Sequence, residues 1–483
     1  MAKVLNGLNP SLVFDYFEQI SQIPRGSGNE KEISDFLCKF AKDLNLEVIQ
    51  DEHLNILIRK PATAGYENCP GVILQGHMDM VCEKNKDVEH NFEKDPIELK
   101  IVDDMIYANG TTLGADNGIA VAMGMAVLAS NDLQHPSLEV LITSDEEAGM
   151  TGATGLDGSL LKGKYIINLD SEEEGYILVS CAGGNRSIVT LPLEYKNIDG
   201  NKEALLVELK GLLGGHSGMD IVKQRANSNI LMGRILNLLG VEFDLVEING
   251  GSKSNAIPRE CEAKILVNKE DVDVVKNNLI KLESILKNEF KTSDPGLKIE
   301  LSETTADKAV TDECKVKAIQ LLNLIPNGIQ TVSMDIEGLV ESSSNLGVVT
   351  TNNDEITYES TVRSSVSTLR DNLNNRTKLV CDTVGAKFET AGAYPAWEYA
   401  KDSKLEGICI DVYEKLTGKK PIITAIHAGL ECGLLLDKMD GAEAISMGPD
   451  MFEVHTPNEH VSISSIKNVW DYLVEVLKSM NQY

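Results

Sequence analysis

The stretch VILQGHMDMV, residues 72–81, runs an apolar strand pattern into Gly76 and then places His77 and Asp79 two positions apart. Polar residues commonly mark a strand end because the chain re-enters water there. An imidazole and a carboxylate so close together take on chemical meaning only if distant segments bring complementary groups to the same edge.

Working outward, that strand is one of a set. LEVLITSDEE and YIINLDSEEE are also apolar runs that stop abruptly in acids, and DNGIAVAMGMAVLAS is a helix rich in alanine and methionine. Upstream, SGNEKEISDFLCKFAKDLN opens on Ser27 and carries Glu30 three residues on, the capping-box pattern at the head of an amphipathic helix. Such alternation predicts an α/β layer, in which ligands gather outside the carboxyl ends of the strands.

The middle of the chain differs. From NRSIVTLPLEY to AKFETAGAYP, strands alternate with long polar helices such as DVDVVKNNLIKLESILKNEF and TLRDNLNNRTKLVCDTV, between glycine-containing joints at CAGG and AGAYP. The α/β pattern then returns as helix KLEGICIDVYEKL, loop HAGLECG, strand EAISMG, loop PDMFEVHTPNEH and closing helix IKNVWDYLVEVLKSM. The reading is therefore a discontinuous α/β domain, residues 1–185 and 393–483, with an inserted α+β domain over 186–392.

Composition bounds the chemistry. A chain of 483 residues, 42% of them hydrophobic, is too long for one ordinary core and can fill more than one. Its formal charge of −29 excludes the basic footprint that nucleic acids and anionic membranes require. The 9 cysteines are scattered singly, without a CxxC, which reads as reduced thiols in a cytoplasm. MAKVLNGLNPSLVFDYFEQI lacks the apolar block of a signal peptide, and no run approaches the roughly 18 apolar residues of a membrane span. A cytoplasmic enzyme or binding protein is expected.

His77 and Asp79 have company. Asp116 stands in TTLGADNG, Glu146 and Glu147 in TSDEEAG, Asp170 at the end of YIINLD, and His455 in FEVHTPNEH. Each sits where a strand or a glycine-rich turn delivers a side chain to an edge. Two histidines and three carboxylates can hold a pair of divalent metals, with one His and one carboxylate for each ion and a further carboxylate between them. Mixed imidazole and carboxylate donors suit zinc, and also manganese or cobalt. A single zinc ion would leave acids without partners, and any one of these acids taken alone is as well explained by a solvated surface.

At this point the chain resembles a known family. GHMDMV, GTTLGADNG, TSDEEAGMTGA, NLDSEEEG, GGHSG, SNAIPR, HAGLECG and HTPNEHV are similar to the motifs of the aminoacyl-histidine dipeptidases, or cytosol non-specific dipeptidases, among the co-catalytic zinc exopeptidases. The likeness runs through nearly the whole chain and departs at no ligand position. It implies a dizinc-exopeptidase-like catalytic domain with an inserted lid and dimerisation domain, two divalent metals per chain, and a homodimer formed through the insert. His77, Asp116 and Asp170 would hold one metal, with Asp116 bridging to a second held by Glu147 and His455. Asp79 would orient the His77 imidazole. Glu146 would be the general base for a water that the two metals share. The two glutamates suit this division if they lie in an extended segment, where neighbours point opposite ways. A cis peptide bond between Asp116 and Asn117 is also implied.

The insert offers the substrate contacts. His216, on the glycine-rich loop of LKGLLGGHSGMD, can hydrogen-bond an oxyanion, Asn255 lies in SKSNAIPR, and Arg363 in YESTVRSS has the planar fork to grip a terminal carboxylate. His427 and Glu431 of HAGLECG are expected in the same cleft. Without the likeness, His216 would pass for an exposed loop histidine and Arg363 for a surface residue. The expected activity is metal-dependent hydrolysis of unblocked dipeptides, Xaa-His such as β-Ala-His included. The rivals are a tripeptidase or N-acyl amino acid hydrolase of the same superfamily, and a metal-binding protein without turnover.

Overall fold

The computed structural model describes residues 3–198 and 200–483, which form two compact units. The first runs through Ser180 and takes up Tyr399–Ala425 and Leu430–Tyr483, while the second holds Cys181–Glu398 with Ile426–Gly429. These limits differ by a few residues from the joints read in the sequence. The Gly183–Pro192 and Lys387–Tyr394 strands pair in one sheet and carry their flanks with them.

In the first unit an eight-stranded sheet has the order Glu47–Gln50, Ile56–Lys60, Leu138–Thr143, Val72–His77, Tyr165–Asn168, Glu443–Ser446, Tyr176–Cys181, Ile422–Ile426. The four strands from Leu138–Thr143 to Glu443–Ser446 are mutually parallel. Covered on both faces, Val72–His77, Leu138–Thr143 and Tyr165–Asn168 are buried at every residue, which explains their near-continuous apolar runs.

The Ala115–Ala129 helix is buried on nearly every side. Its small residues let it lie directly on the sheet. A Cβ on Gly76 would come within 2.4 Å of Asn117 Oδ1 and 2.6 Å of Ala120 Cβ, so only glycine permits this approach. The bond between Asp116 and Asn117 is cis, as the likeness implied.

The second unit is built on a nine-stranded sheet in which every recorded pairing is antiparallel. Its core joins strand residues such as Val207, Ile265 and Tyr358 to helix residues such as Met232, Leu279 and Leu321. Tyr358, fully buried, donates its hydroxyl to Ala318 O at 3.2 Å. This is the α+β composition expected of the middle segment.

Three local expectations are corrected. No capping box forms at Ser27, because the helix spans Lys31–Asp43 with Glu30 at its N-cap, and Ser27 Oγ donates instead to Asp79 Oδ2 at 2.8 Å. HAGLECG is only partly loop, since a helix starts at Glu431. Glu146 and Glu147 are not extended: Asp145 turns the chain with φ 54°, and Glu146–Gly149 form one helical turn.

Candidate active site

The ligand candidates of the first unit leave its parallel strands at their carboxyl ends. His77 closes Val72–His77, Asp170 follows Tyr165–Asn168, Glu146 and Glu147 follow Leu138–Thr143, and Asp116 opens the helix lying on the sheet. His77 Nε2 lies 3.2 Å from Asp116 Oδ1 and 3.4 Å from Asp170 Oδ1. His455 Nε2 lies 3.1 Å from Asp116 Oδ2 and 3.1 Å from Glu147 Oε2. Asp116 thus turns one oxygen to each imidazole. His77–Asp116–Asp170 and Asp116–Glu147–His455 are each compact enough to hold one cation, as is His77–Glu146–Glu147.

Besides Ser27, Asp79 serves three partners. Its Oδ1 is 3.3 Å from His77 Nδ1, and its two oxygens accept the backbone N–H groups of Glu146 at 3.0 Å and Glu147 at 3.2 Å. A carboxylate on Nδ1 favours the tautomer whose Nε2 lone pair faces Asp116 and Asp170. Because successive residues of a helical turn diverge by about 100°, Glu146 and Glu147 point apart without an extended backbone. Glu146 Oε2 remains 4.0 Å from His77 Nε2, while Glu147 reaches His455.

The donor set fits divalent cations. Asp170 Oδ1 and Glu147 Oε1 are buried without a hydrogen-bond partner. Burial, with the charges of Glu147, Asp116 and Asp79, pushes Glu146 up to about 7 against the pull of His77. Hydrogen bonds to Asp116 and Glu147 push His455 up to about 11. Burial would lower His77, but Asp170, Asp116 and Asp79 outweigh it and raise the imidazole well above its ordinary range. The carboxylates demand positive charge at the imidazole nitrogens, and cations there meet that demand while leaving both rings neutral as ligands.

Sequence reasoning named Asn117 only for its cis bond and missed its side chain. Its Oδ1 accepts His77 N–H at 3.1 Å and its Nδ2 donates to Leu169 O at 2.9 Å, so one amide ties the backbones carrying His77, Asp116 and Asp170. Its place beside Asp116 in ADNG was the available signal. Glu431 is buried in the first unit, accepting from Gln75 Nε2 at 2.5 Å and Thr143 Oγ1 at 2.7 Å. Burial and the Glu146 charge raise it to about 8.

In the second unit Arg363 is 7% exposed and donates Nη1 to Tyr394 Oη at 2.7 Å. No carboxylate pairs with it among the described ion pairs. Its Nη2 lies 3.4 Å from His216 Nε2, while His216 Nδ1 accepts Met219 N–H at 3.1 Å. The latter bond places the proton of a neutral His216 on Nε2, so two donors converge and call for an acceptor between them. His427, also buried, pairs Nε2 with Ser343 Oγ at 2.7 Å. Burial, Arg363 and His216 drive its pKa down to about 3, so it is neutral. Asn255 is exposed on the segment whose backbone O accepts Ser217 N–H at 2.9 Å. Tyr394, in AGAYP, was not singled out from sequence.

Residues 73–479 match the peptidase family M20/M25/M40. The chain belongs to this family. Among curated relatives of this M20 chain, the cytosol non-specific dipeptidase of Escherichia coli K12 is 41% identical over 99% of both chains. Among solved structures, the aminoacylhistidine dipeptidase of Vibrio alginolyticus is 38% identical, with 98% of each chain covered and a TM-score of 0.93. The aminopeptidase PepT of Bacillus cereus, 16% identical with a TM-score of 0.57, shares the fold alone. The M20 chain is thus an enzyme of the metallopeptidase class, a hydrolase of peptide bonds, with the fold its strand-end motifs implied.

Proposed function

We propose that this M20 enzyme hydrolyses unblocked dipeptides, Xaa-His such as β-Ala-His among them, at a centre built on two divalent cations per chain. The observation that carries the reading is Asp116, which turns one oxygen to each of two histidines, each with a further carboxylate beside it. The relatives of both sequence and structure bear dipeptidase names. His77, Asp170 and Asp116 would hold one cation, and Asp116, Glu147 and His455 the other. Zinc suits the mixed donors.

Bound there, the cations would supply Lewis-acid polarisation of the peptide carbonyl and a lowered pKa for the attacking water. The residues do the rest. Asp79 fixes the His77 tautomer. Glu146, outside the two sets that share Asp116, takes the proton from the attacking water and returns it to the amine nitrogen as the C–N bond breaks. Arg363, steadied by Tyr394, binds the substrate's terminal carboxylate, and His216 donates from Nε2 to developing oxyanion charge. Asn255, His427 and Glu431 complete the substrate-binding set.

The second unit is a lid and dimerisation domain in this reading. No helix among the described residues is long and apolar enough to cross a membrane, and a cytoplasmic location follows the name of the Escherichia coli relative. A substrate panel tests the activity: β-Ala-His and Leu-Gly should be cleaved, and their N-acetylated forms, their C-terminal amides and a tripeptide should not. Preference for the tripeptide or the N-acyl compounds would replace this reading with its rivals.

A further inference from the structure

Two buried charged residues outside the ligand set converge on the turn that presents Asp116. Glu459, 2% exposed, accepts the backbone N–H groups of Leu113 at 2.7 Å and Gly114 at 3.0 Å through Oε2, and of Ala115 at 2.8 Å and Asp116 at 3.3 Å through Oε1. Four successive amides therefore end on one carboxylate. Glu459 lies four residues beyond His455 on the same loop, where Glu453 and His455 both adopt positive φ. A segment over 340 positions away in sequence is so fastened to the Asp116 turn.

Arg25, also 2% exposed, grips the turn from the other side. Its Nη1 donates to Met78 O at 2.9 Å and Asp79 O at 3.2 Å, and its Nη2 donates to Gly114 O. Glycines make room for it: a Cβ on Gly118 would lie 2.6 Å from Arg25 Nη2, and Gly114, at φ 69°, would bring one to 2.5 Å. Arg25 joins the backbone of Asp79, which orients His77, to the turn carrying Asp116.

We propose that Arg25 and Glu459 are positioning residues that hold the three cation-binding segments, at His77–Asp79, Asp116 and His455, in register for two metals. The inference deepens the two-metal reading and rests on it. A lysine at 25 keeps a cation but has no planar fork to serve three carbonyls. A glutamine at 459 keeps the shape, yet its amide nitrogen would face N–H donors. Outer partners of metal ligands typically contribute about 10- to 100-fold in metal affinity.

Zinc affinity of the full chain, measured by competition with a chromophoric chelator, decides the matter, with the melting temperature of the metal-free protein read alongside. The unaltered protein should bind two zinc ions, and E459Q and R25K should each lose about 10- to 100-fold in affinity for at least one of them. Activity of both variants should recover as zinc is raised. E139Q is the control. Glu139 is another buried carboxylate of the first unit, accepting Lys162 and Gly163 N–H at 2.8 Å each, and its loss should lower the melting temperature without touching zinc affinity. Should E459Q fail to fold, R25K decides. Undiminished affinity in the folded variants, or an equal loss in E139Q, overturns the inference alone, whereas no zinc binding by the unaltered protein overturns the two-metal reading beneath it.

Discussion

Glu146 and Glu147 are adjacent and chemically equal, yet the turn after Asp145 sends only Glu147 to His455. Glu147→Ala should therefore lose one metal while Glu146→Ala keeps both, as elemental analysis of the purified variants would record. Glu146→Ala should lose activity by up to about 10⁴-fold, the upper range for a general acid-base group, because one carboxylate serves both proton transfers. Arg363→Ala should cut kcat/KM for free dipeptides severely with metal content intact, and should abolish the discrimination against amides. His427 gives a pH prediction with a defined sign. Its folded pKa, about 3, lies below the ordinary 6.5, so the unfolded chain binds the extra proton and stability falls as pH drops through that window. His427→Gln should flatten the dependence of the melting temperature below pH 6.5. The ligands were legible only as a set: any one strand-end acid reads as solvated surface, whereas together, and with the likeness to known motifs, they divide into two cation sites. Arg363 was legible only through the family likeness, since a buried guanidinium facing Tyr394 and His216 carries no local mark, and Ser27 was misread because its hydroxyl serves Asp79 and not a helix end.

Among the elements, the helix beginning at Ala115 governs the site's geometry. Gly76 lets it touch the Val72–His77 strand, and Asn117 then links that strand's last residue to Leu169 beside Asp170. Asn117→Ala removes two buried hydrogen bonds, and each partner left unpaired costs about 1–3 kcal/mol. The variant should melt lower and bind zinc more weakly, both measurable on the purified chain. Unchanged zinc affinity would mean that the ligand segments keep their register without it. Element types were readable from apolar periodicity, which reports burial. The one-turn helix at Glu146–Gly149 was not, because it follows from the left-handed Asp145, a conformation no periodicity encodes.

At the scale of the molecule, each unit has its own large sheet, and among the described residues the candidate cation-binding groups all lie in the first. The compositional change along the chain made the insertion legible, but its limits follow strand pairing between Gly183–Pro192 and Lys387–Tyr394, a long-range fact that composition does not carry. The central claim, two cations sharing Asp116 and required for dipeptide hydrolysis, is tested most directly by titrating zinc into the metal-free protein and following cleavage of β-Ala-His. The account predicts negligible activity without metal and a rise that reaches its plateau at two zinc ions per chain. Full activity in the metal-free protein, or a plateau at one, would contradict it.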